Sequence, residues 1–177
     1  YTHVIDWEEF RDLQLAFFRA SVIDIELLTD HAIFAVIYRI ARKFGVKFFL
    51  SGYNVATESV MPRSWFYGNK LDSLNIRALH RQFGNGKKLH TFPLLSLPEL
   101  LHFVLFRTVE IVPLLNYIDY HKAEAMKLLQ EKLGWVYYGG KHYESRFTQF
   151  YQASILPRKF KVDKRRAHLS SLIYSGQ

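Results

Sequence analysis

The sequence predicts an α/β fold: a partial parallel sheet flanked by helices, with a helix-rich C-terminal part. Three observations carry this. A stretch with helical apolar spacing, residues 29–44, stops at Gly45 and leads directly into the apolar run Val46–Leu50 and the polar, glycine-containing Ser51–Asn54. Helix, glycine, apolar strand and polar loop in that order form the repeating unit of a parallel sheet. Along the rest of the chain, helical periodicities outnumber strand-like runs. Finally, the chain has 177 residues, 49% of them hydrophobic and 16% aromatic. A chain of that size buries roughly 70% of its unfolded surface and needs no cross-links to hold a core.

Each element has its local reason. From Trp7 to Ile23, the residues Phe10, Leu13, Phe17 and Ala20 recur at helical spacing. The next helix is expected to start on Thr29 as its cap, with Asp30 in the first turn. Its expected apolar stripe is Ile33, Ile37, Ile40 and Phe44, with Val36 and Ala41 beside it. Arg39, Arg42 and Lys43 load its last turns, where cations suit the helix dipole. Val46–Leu50 reads as a buried strand. Leu71–Phe83 reads as a helix closed by Gly84, Asn85–Lys88 as a turn and Leu89–Leu94 as a strand. Leu97–Phe106 reads as a helix, with Ser96 and Glu99 placed as a capping box. Thr108–Ile118 is rich in β-branched residues but carries Pro113. Tyr120–Leu133 reads as a helix ending at Gly134, Gly139–Gly140 as a loop, and Tyr143–Ile155 as a helix ending before Pro157. Asp163 is placed to cap a last helix, Lys164–Tyr174.

Composition excludes several classes. With no cysteine, disulfides, thiol catalysis and thiolate metal sites are ruled out. The longest apolar stretch, Leu94–Phe106, is about 13 residues and is broken by Pro98, Glu99 and His102, whereas a membrane span needs roughly 20. No signal-peptide pattern opens the chain, so a cytoplasmic setting is expected. The first residues read as a strand under way and the last follow an amphipathic segment, so the chain is expected to be cut from a longer protein. The net charge is +8, from 24 Lys and Arg against 16 Asp and Glu. Such a surface attracts phosphate in nucleic acids, lipids or nucleotides.

Four constellations bear on chemistry. Ser51–Ser59 follows a strand with a small-residue turn whose backbone N–H groups can cradle a phosphate. Ser51, Gly52, Asn54 and Thr57 are its candidate nucleotide contacts. Glu58 follows, and a carboxylate beside a phosphate commonly shares Mg²⁺ with it. The same pattern also fits a plain loop with a solvated glutamate. Trp65, beside Arg63 and with Asp72 further on, can hold a sugar or a base, or can anchor a loop to the core. Gly139–Ser145 offers two glycines before Lys141, with Glu144 nearby; it lacks the spacing of a phosphate-binding loop and fits a flexible loop equally. Residues 158–166 hold six cations, of which Lys164, Arg165 and Arg166 open the last helix, where the dipole disfavours them. A solvated basic face is the plain alternative. The eight histidines show no metal-ligand spacing, and neither a nucleophile elbow nor a dinucleotide-binding glycine motif occurs.

Several of these residues together resemble a known family. Asp30–Gly45 with the following strand, Ser51–Ser59, Met61–Trp65, Gly139–Ser145 and Phe160–Ile173 resemble the N-acetyl sugar amidotransferases, the WbpG-like lipopolysaccharide biosynthesis proteins, along the whole chain. Ser51–Ser59 also resembles the wider ATP pyrophosphatase group. There Ser51, Gly52, Ala56 and Glu58 match a stretch of NAD synthetase, while Tyr53 departs from its threonine. The resemblance implies an adenine nucleotide alpha hydrolase-like sheet, whose Ser-Gly-Gly-x-Asp-Ser pyrophosphate loop is absent here and is expected N-terminal to Tyr1. It implies two regions: residues 1–92 as the C-terminal portion of the ATP pyrophosphatase domain, and 93–177 as a helix-rich substrate or partner region. It implies ATP and Mg²⁺, with Glu58 as a metal ligand. The implied reaction turns the N-acetyl group of a nucleotide-linked sugar into an acetamidino group, in lipopolysaccharide O-antigen synthesis, with ammonia from a glutaminase partner. Trp65, Asp72, Lys141, Glu144, Lys164, Arg165 and Arg166 are then candidate substrate contacts. A basic RNA-binding or tRNA-modifying module of the same group is the alternative, although no aromatic RNA-recognition motif accompanies the charge. A third reading is an interaction module in which Leu94–Phe106 is an exposed apolar helix docking a partner, such as the N-terminal region or the glutaminase complex.

Overall fold

A computed structural model of the chain describes residues 1–65, 68–106 and 109–177. Thr108, the expected start of the β-branched run, lies outside the described residues. In chain order the elements are α1 (Trp7–Arg19), α2 (Leu27–Phe44), β1 (Phe48–Ser51), α3 (Val55–Glu58), α4 (Ser73–Phe83), α5 (Leu97–Phe106), β2 (Glu110–Pro113), α6 (Lys122–Leu133), α7 (Arg146–Phe150) and α8 (Lys164–Tyr174). Single 3-10 turns occupy Arg63–Trp65 and Leu114–Tyr117, and the chain continues from α7 in π-helical form over Tyr151–Phe160. The contacts divide into two units, Tyr1–Phe49 with Tyr67–Glu110, and Leu50–Phe66 with Ile111–Gln177. These units interleave along the chain, whereas the division expected from sequence is a single one at residues 92 and 93.

The fold is helix-rich with a small parallel sheet of two strands, β1 and β2, consistent with a mixed α/β class. Glu110 N donates to Lys47 O at 2.7 Å at the start of the pairing. The strand expected to be buried is not: Phe48 is 58% and Leu50 68% exposed, on one face of β1. A two-stranded ribbon lacks the second helix layer that buries both faces of a larger parallel sheet. Among the described residues, no helix is long and apolar enough to cross a membrane.

In the first unit, Leu13 and Phe17 of α1, Leu27, Leu28 and Ala32 of α2, Ile76 of α4 and Phe92 form the core. Asp6 caps α1 by accepting from Glu8 N and Glu9 N. The start and face of α2 differ from expectation. The helix begins at Leu27, so Thr29 lies inside its first turn rather than capping it. Its buried face is Leu28, His31, Ala32 and Ala35, while Ile33 is 49% and Phe44 63% exposed. The deciding residue is His31, a polar side chain that periodicity assigns outward. Its Nε2 accepts from Leu95 N at 3.0 Å, which leaves Nδ1 to donate to Lys70 O at 2.9 Å. With both nitrogens bonded the imidazole is buried, and burial lowers its pKa.

Residues 89–94 are not a strand. The backbone N–H groups of His90, Thr91 and Phe92 go instead to the carboxylate of Glu9, at 2.9 to 3.2 Å, and Thr91 Oγ1 donates to it as well. The donors that a strand ladder needs are therefore consumed by one buried acid. The capping box forms as expected: Glu99 N donates to Ser96 Oγ, and Glu99 Oε2 accepts from Ser96 N at 2.9 Å. Arg39 grips the same carboxylate at 2.8 Å, and this pairing first, with Ser96 assisting against burial, holds the Glu99 carboxyl at a pKa of about 2.

In the second unit α3 packs against α8. Ser171 Oγ accepts from Val60 N at 3.0 Å, and Ser175 Oγ donates to Ala56 O at 3.1 Å. α6 ends, as the sequence predicts, on Gly134 at φ +63°. The helix expected to stop before Pro157 does not stop: the π segment carries Pro157 inside it and buries Tyr151 and Leu156 fully. Proline disrupts an α-helix because its ring meets the carbonyl four residues back. The wider π turn moves that carbonyl away, and Pro157 is tolerated. Asp163 caps α8 as expected, accepting from Arg165 N at 3.1 Å.

Candidate functional site

The site lies within the second unit and starts from α3. Asn54 caps that helix; its Oδ1 accepts from Thr57 N at 2.9 Å and Thr57 Oγ1 at 3.0 Å, while its Nδ2 donates to Gly52 O. Val55 N donates to Asn116 Oδ1, and Tyr53 N to Ser51 Oγ. The Ser51 hydroxyl, the Gly52 carbonyl and the Asn54 side chain thus shape the turn. Of the four expected nucleotide contacts, Thr57 also lines a cavity.

That cavity has a volume of about 270 Å³. Its polar wall is Thr57 from α3, Lys122 from α6, Lys141 from the glycine loop, Gln152 from the π segment, and Arg165 and His168 from α8. Tyr143, Leu169 and Leu172 supply apolar wall. Arg165, His168 and Leu172 stand three and four residues apart, which puts them on one face of α8.

Three of these wall residues are permanent cations. Lys141 Nζ is 2.7 Å from Glu58 Oε1 and 3.5 Å from Thr57 O. Arg165 forms two parallel bonds to the Asp163 carboxylate, at 2.8 and 2.7 Å. Lys122 makes no ion pair among the described residues. His168 registers the resulting field. Burial first, then the charges of Lys141, His142, Lys164 and Lys122, push its pKa down to about 4. At neutral pH His168 is therefore an uncharged imidazole among cations, able to donate one hydrogen bond and accept another.

The other expected contacts lie elsewhere. Glu144 Oε1 is 3.8 Å from His142 Nδ1, and burial, then the Glu144 charge, pushes the Tyr138 hydroxyl pKa up. Lys164 Nζ stands 5.8 Å over the Tyr151 ring. Arg166 is exposed, and after the Arg165 bond and its charge it adds to the pull that keeps the Asp163 carboxyl low. Trp65 closes a 3-10 turn and is half-buried. Asp72 belongs to the first unit, where it caps α4 by accepting from Leu74 N and Asn75 N. Lys141 and Arg165 are the expected substrate contacts that line the cavity. Sequence reasoning missed His168, Lys122, Tyr143 and Gln152; the i, i+3 step from Arg165 to His168 is the signal that points to the first.

The Glu58 carboxylate is engaged by Lys141, and no group of three or more His, Cys, Asp or Glu among the described residues could hold a metal ion by itself. Mg²⁺ is commonly held by one or two carboxylates together with substrate phosphates, and at Glu58 such an ion would have to displace Lys141.

A family model, "LPS biosynthesis protein WbpG-like, C-terminal domain", matches residues 144–177. This WbpG-like segment begins just before α7 and runs through the π segment and α8. It contributes Gln152, Arg165, His168, Leu169 and Leu172 to the cavity wall. Comparison with curated proteins and with solved structures returned no match.

Proposed function

We propose that this chain serves lipopolysaccharide biosynthesis by binding a phosphate-bearing sugar in the cavity of the second unit. The observation that carries this is the coincidence of the WbpG-like segment with a cavity walled by Lys122, Lys141 and Arg165 around a neutral His168. Cations suit the phosphate oxygens. The uncharged imidazole and Gln152 suit hydroxyl or acetamido groups, which a wall of ammonium groups alone would not discriminate. Leu169 and Leu172 suit the apolar face of a sugar ring.

The finer reading is that the ligand is a nucleotide-linked N-acetyl sugar and the reaction an ATP-dependent amidotransfer. The amide oxygen of the acetamido group attacks the α-phosphorus of ATP and pyrophosphate leaves. Ammonia from a glutaminase partner then adds to the activated carbon, AMP departs with the oxygen, and an acetamidino group remains. A poor leaving group is thereby exchanged for a phosphate-borne one, whose charge the cations stabilise. Mg²⁺ would arrive on the ATP phosphates.

The test uses the protein carrying this chain, with ATP, ammonia and a UDP-linked acetamido sugar. AMP and pyrophosphate should be released only when all three are present, and Lys141→Met and Arg165→Met should each weaken sugar-nucleotide binding about tenfold, as expected for a charge-assisted hydrogen bond. Absence of AMP release with every acetamido nucleotide sugar refutes the amidotransfer. Unchanged affinity in both variants refutes the cavity as the binding site. Salt-steep RNA binding without sugar-nucleotide binding would transfer the assignment to nucleic acid.

A further inference from the structure

Just after α6, Trp135, Tyr137 and Tyr138 form an aromatic cluster with ring centroids between 5.6 and 6.1 Å apart. Tyr137 is 45% and Tyr138 43% exposed. Trp135 is half-buried beneath them, so the two tyrosine rings are presented at the surface on an aromatic base. Their place on the chain says for what. Tyr138 is two residues from Gly140, part of the cavity wall, so their Cα atoms are at most about 7 Å apart.

Two glycines set this junction. Gly139 has φ +90°, in the left-handed region that side-chain-bearing residues avoid. A Cβ on Gly140 would stand 2.8 Å from the Tyr143 ring, so this cavity-wall aromatic packs directly on the loop backbone. Glu144, on the far side of the same loop, adds its charge to burial in pushing the Tyr138 hydroxyl pKa up, which places it beside the cluster. Cluster and cavity wall are thus ends of one short, internally braced segment, Trp135–Glu144.

The cavity's volume of about 270 Å³ is below the roughly 300–1,000 Å³ that encloses drug-sized ligands. A nucleotide sugar therefore has to leave part of itself outside. The part with a flat π-face and no charge is the base.

We propose that Trp135, Tyr137 and Tyr138 are a stacking platform for the nucleobase of a nucleoside diphosphate whose phosphates occupy the cationic cavity. This rests on the cavity reading above and adds a second, aromatic subsite to it. Stacking holds a base without reading its edge, so the platform sets affinity for a nucleotide over a bare phosphate, while the cavity sets which sugar follows.

The experiment is calorimetric titration of the full chain with UDP, inorganic pyrophosphate and a hexosamine 1-phosphate. UDP should bind about 5- to 30-fold more tightly than pyrophosphate. Tyr137→Ala and Trp135→Leu should erase that ratio and leave pyrophosphate binding unchanged, and Tyr137→Phe, which keeps the ring, should preserve it. Equal affinities for UDP and pyrophosphate overturn the platform, as does a ratio that survives both ring deletions. Weakened hexosamine 1-phosphate binding with an unchanged UDP-to-pyrophosphate ratio would assign the rings to the sugar and likewise overturn it. The underlying reading fails separately: pyrophosphate binding insensitive to Lys141→Met places the phosphates outside the cavity and removes both.

Discussion

His168 makes the second unit acid-sensitive in a way that can be read one residue at a time. Its folded pKa of about 4 lies below the ordinary 6.5. The folded state therefore binds fewer protons than the unfolded state between these values. The associated stability is complete above the unfolded pKa and is lost as pH falls towards the folded one. Because the ring is only half-buried, solvent screening discounts this linkage to roughly 1 to 2 kcal/mol between about pH 7 and about pH 4.5. Urea denaturation of the wild type and of His168→Gln at these two pH values isolates the effect, since the variant loses the titrating group and keeps a neutral polar side chain. The wild type should lose roughly 1 to 2 kcal/mol more than the variant. Lys141→Met should shrink the difference, because the Lys141 charge is the cause ranked after burial. A His168 ring proton that titrates near 6.5 by NMR, or wild type and variant falling in parallel, would refute both the burial and the positive field inferred for the cavity.

Other perturbations test particular contacts. Glu58→Gln should free Lys141 and strengthen metal-free pyrophosphate binding about fivefold, the equivalent of about 1 kcal/mol; unchanged or weaker binding by calorimetry would show that Glu58 does not mask this cation. Glu9→Ala should cost about 3 kcal/mol or more, because three backbone N–H groups lose their acceptor, two of them part-buried and Phe92's buried. An unshifted urea midpoint would contradict the account of residues 89–94. Gly84→Ala should destabilise by about 1–3 kcal/mol, since its Cβ would meet the His80 ring at 2.5 Å and the His80 carbonyl at 2.6 Å; a thermal midpoint equal to wild type would contradict that packing. Glu99→Gln should remove an acid-sensitive contribution that the wild type loses as pH falls from about 4.5 to about 2, as tested by comparing acid denaturation curves.

Elements whose cause is local were legible. The Ser96–Glu99 capping box, the Asp163 cap and the glycine stops at Gly45 and Gly134 each depend on a few neighbouring residues, and each forms as the sequence predicts. Elements whose cause is distant were not. Residues 89–94 have strand-forming composition, but an acid on α1 takes their donors. The face of α2 turns inward at His31 because Lys70 and Leu95, remote in sequence, satisfy both ring nitrogens. Pro157 reads as a stop, and only the π geometry around it accommodates the ring.

The site divides along the same line. Composition and charge determine that the chain is basic, cysteine-free and core-forming, and the cation-rich stretch before and within α8 points to an anionic ligand. Which cations act together was decided by tertiary structure. Lys164, Arg165 and Arg166 are consecutive, yet a helix turns about 100° per residue, and of the three only Arg165 faces the cavity. Lys122 and Lys141 join it from other parts of the chain, and burial first, then charges that include Lys141, Lys164 and Lys122, keep His168 neutral. A pKa set by burial and by charges on separate elements has no signature in the order of residues; it exists only once the chain has brought them together.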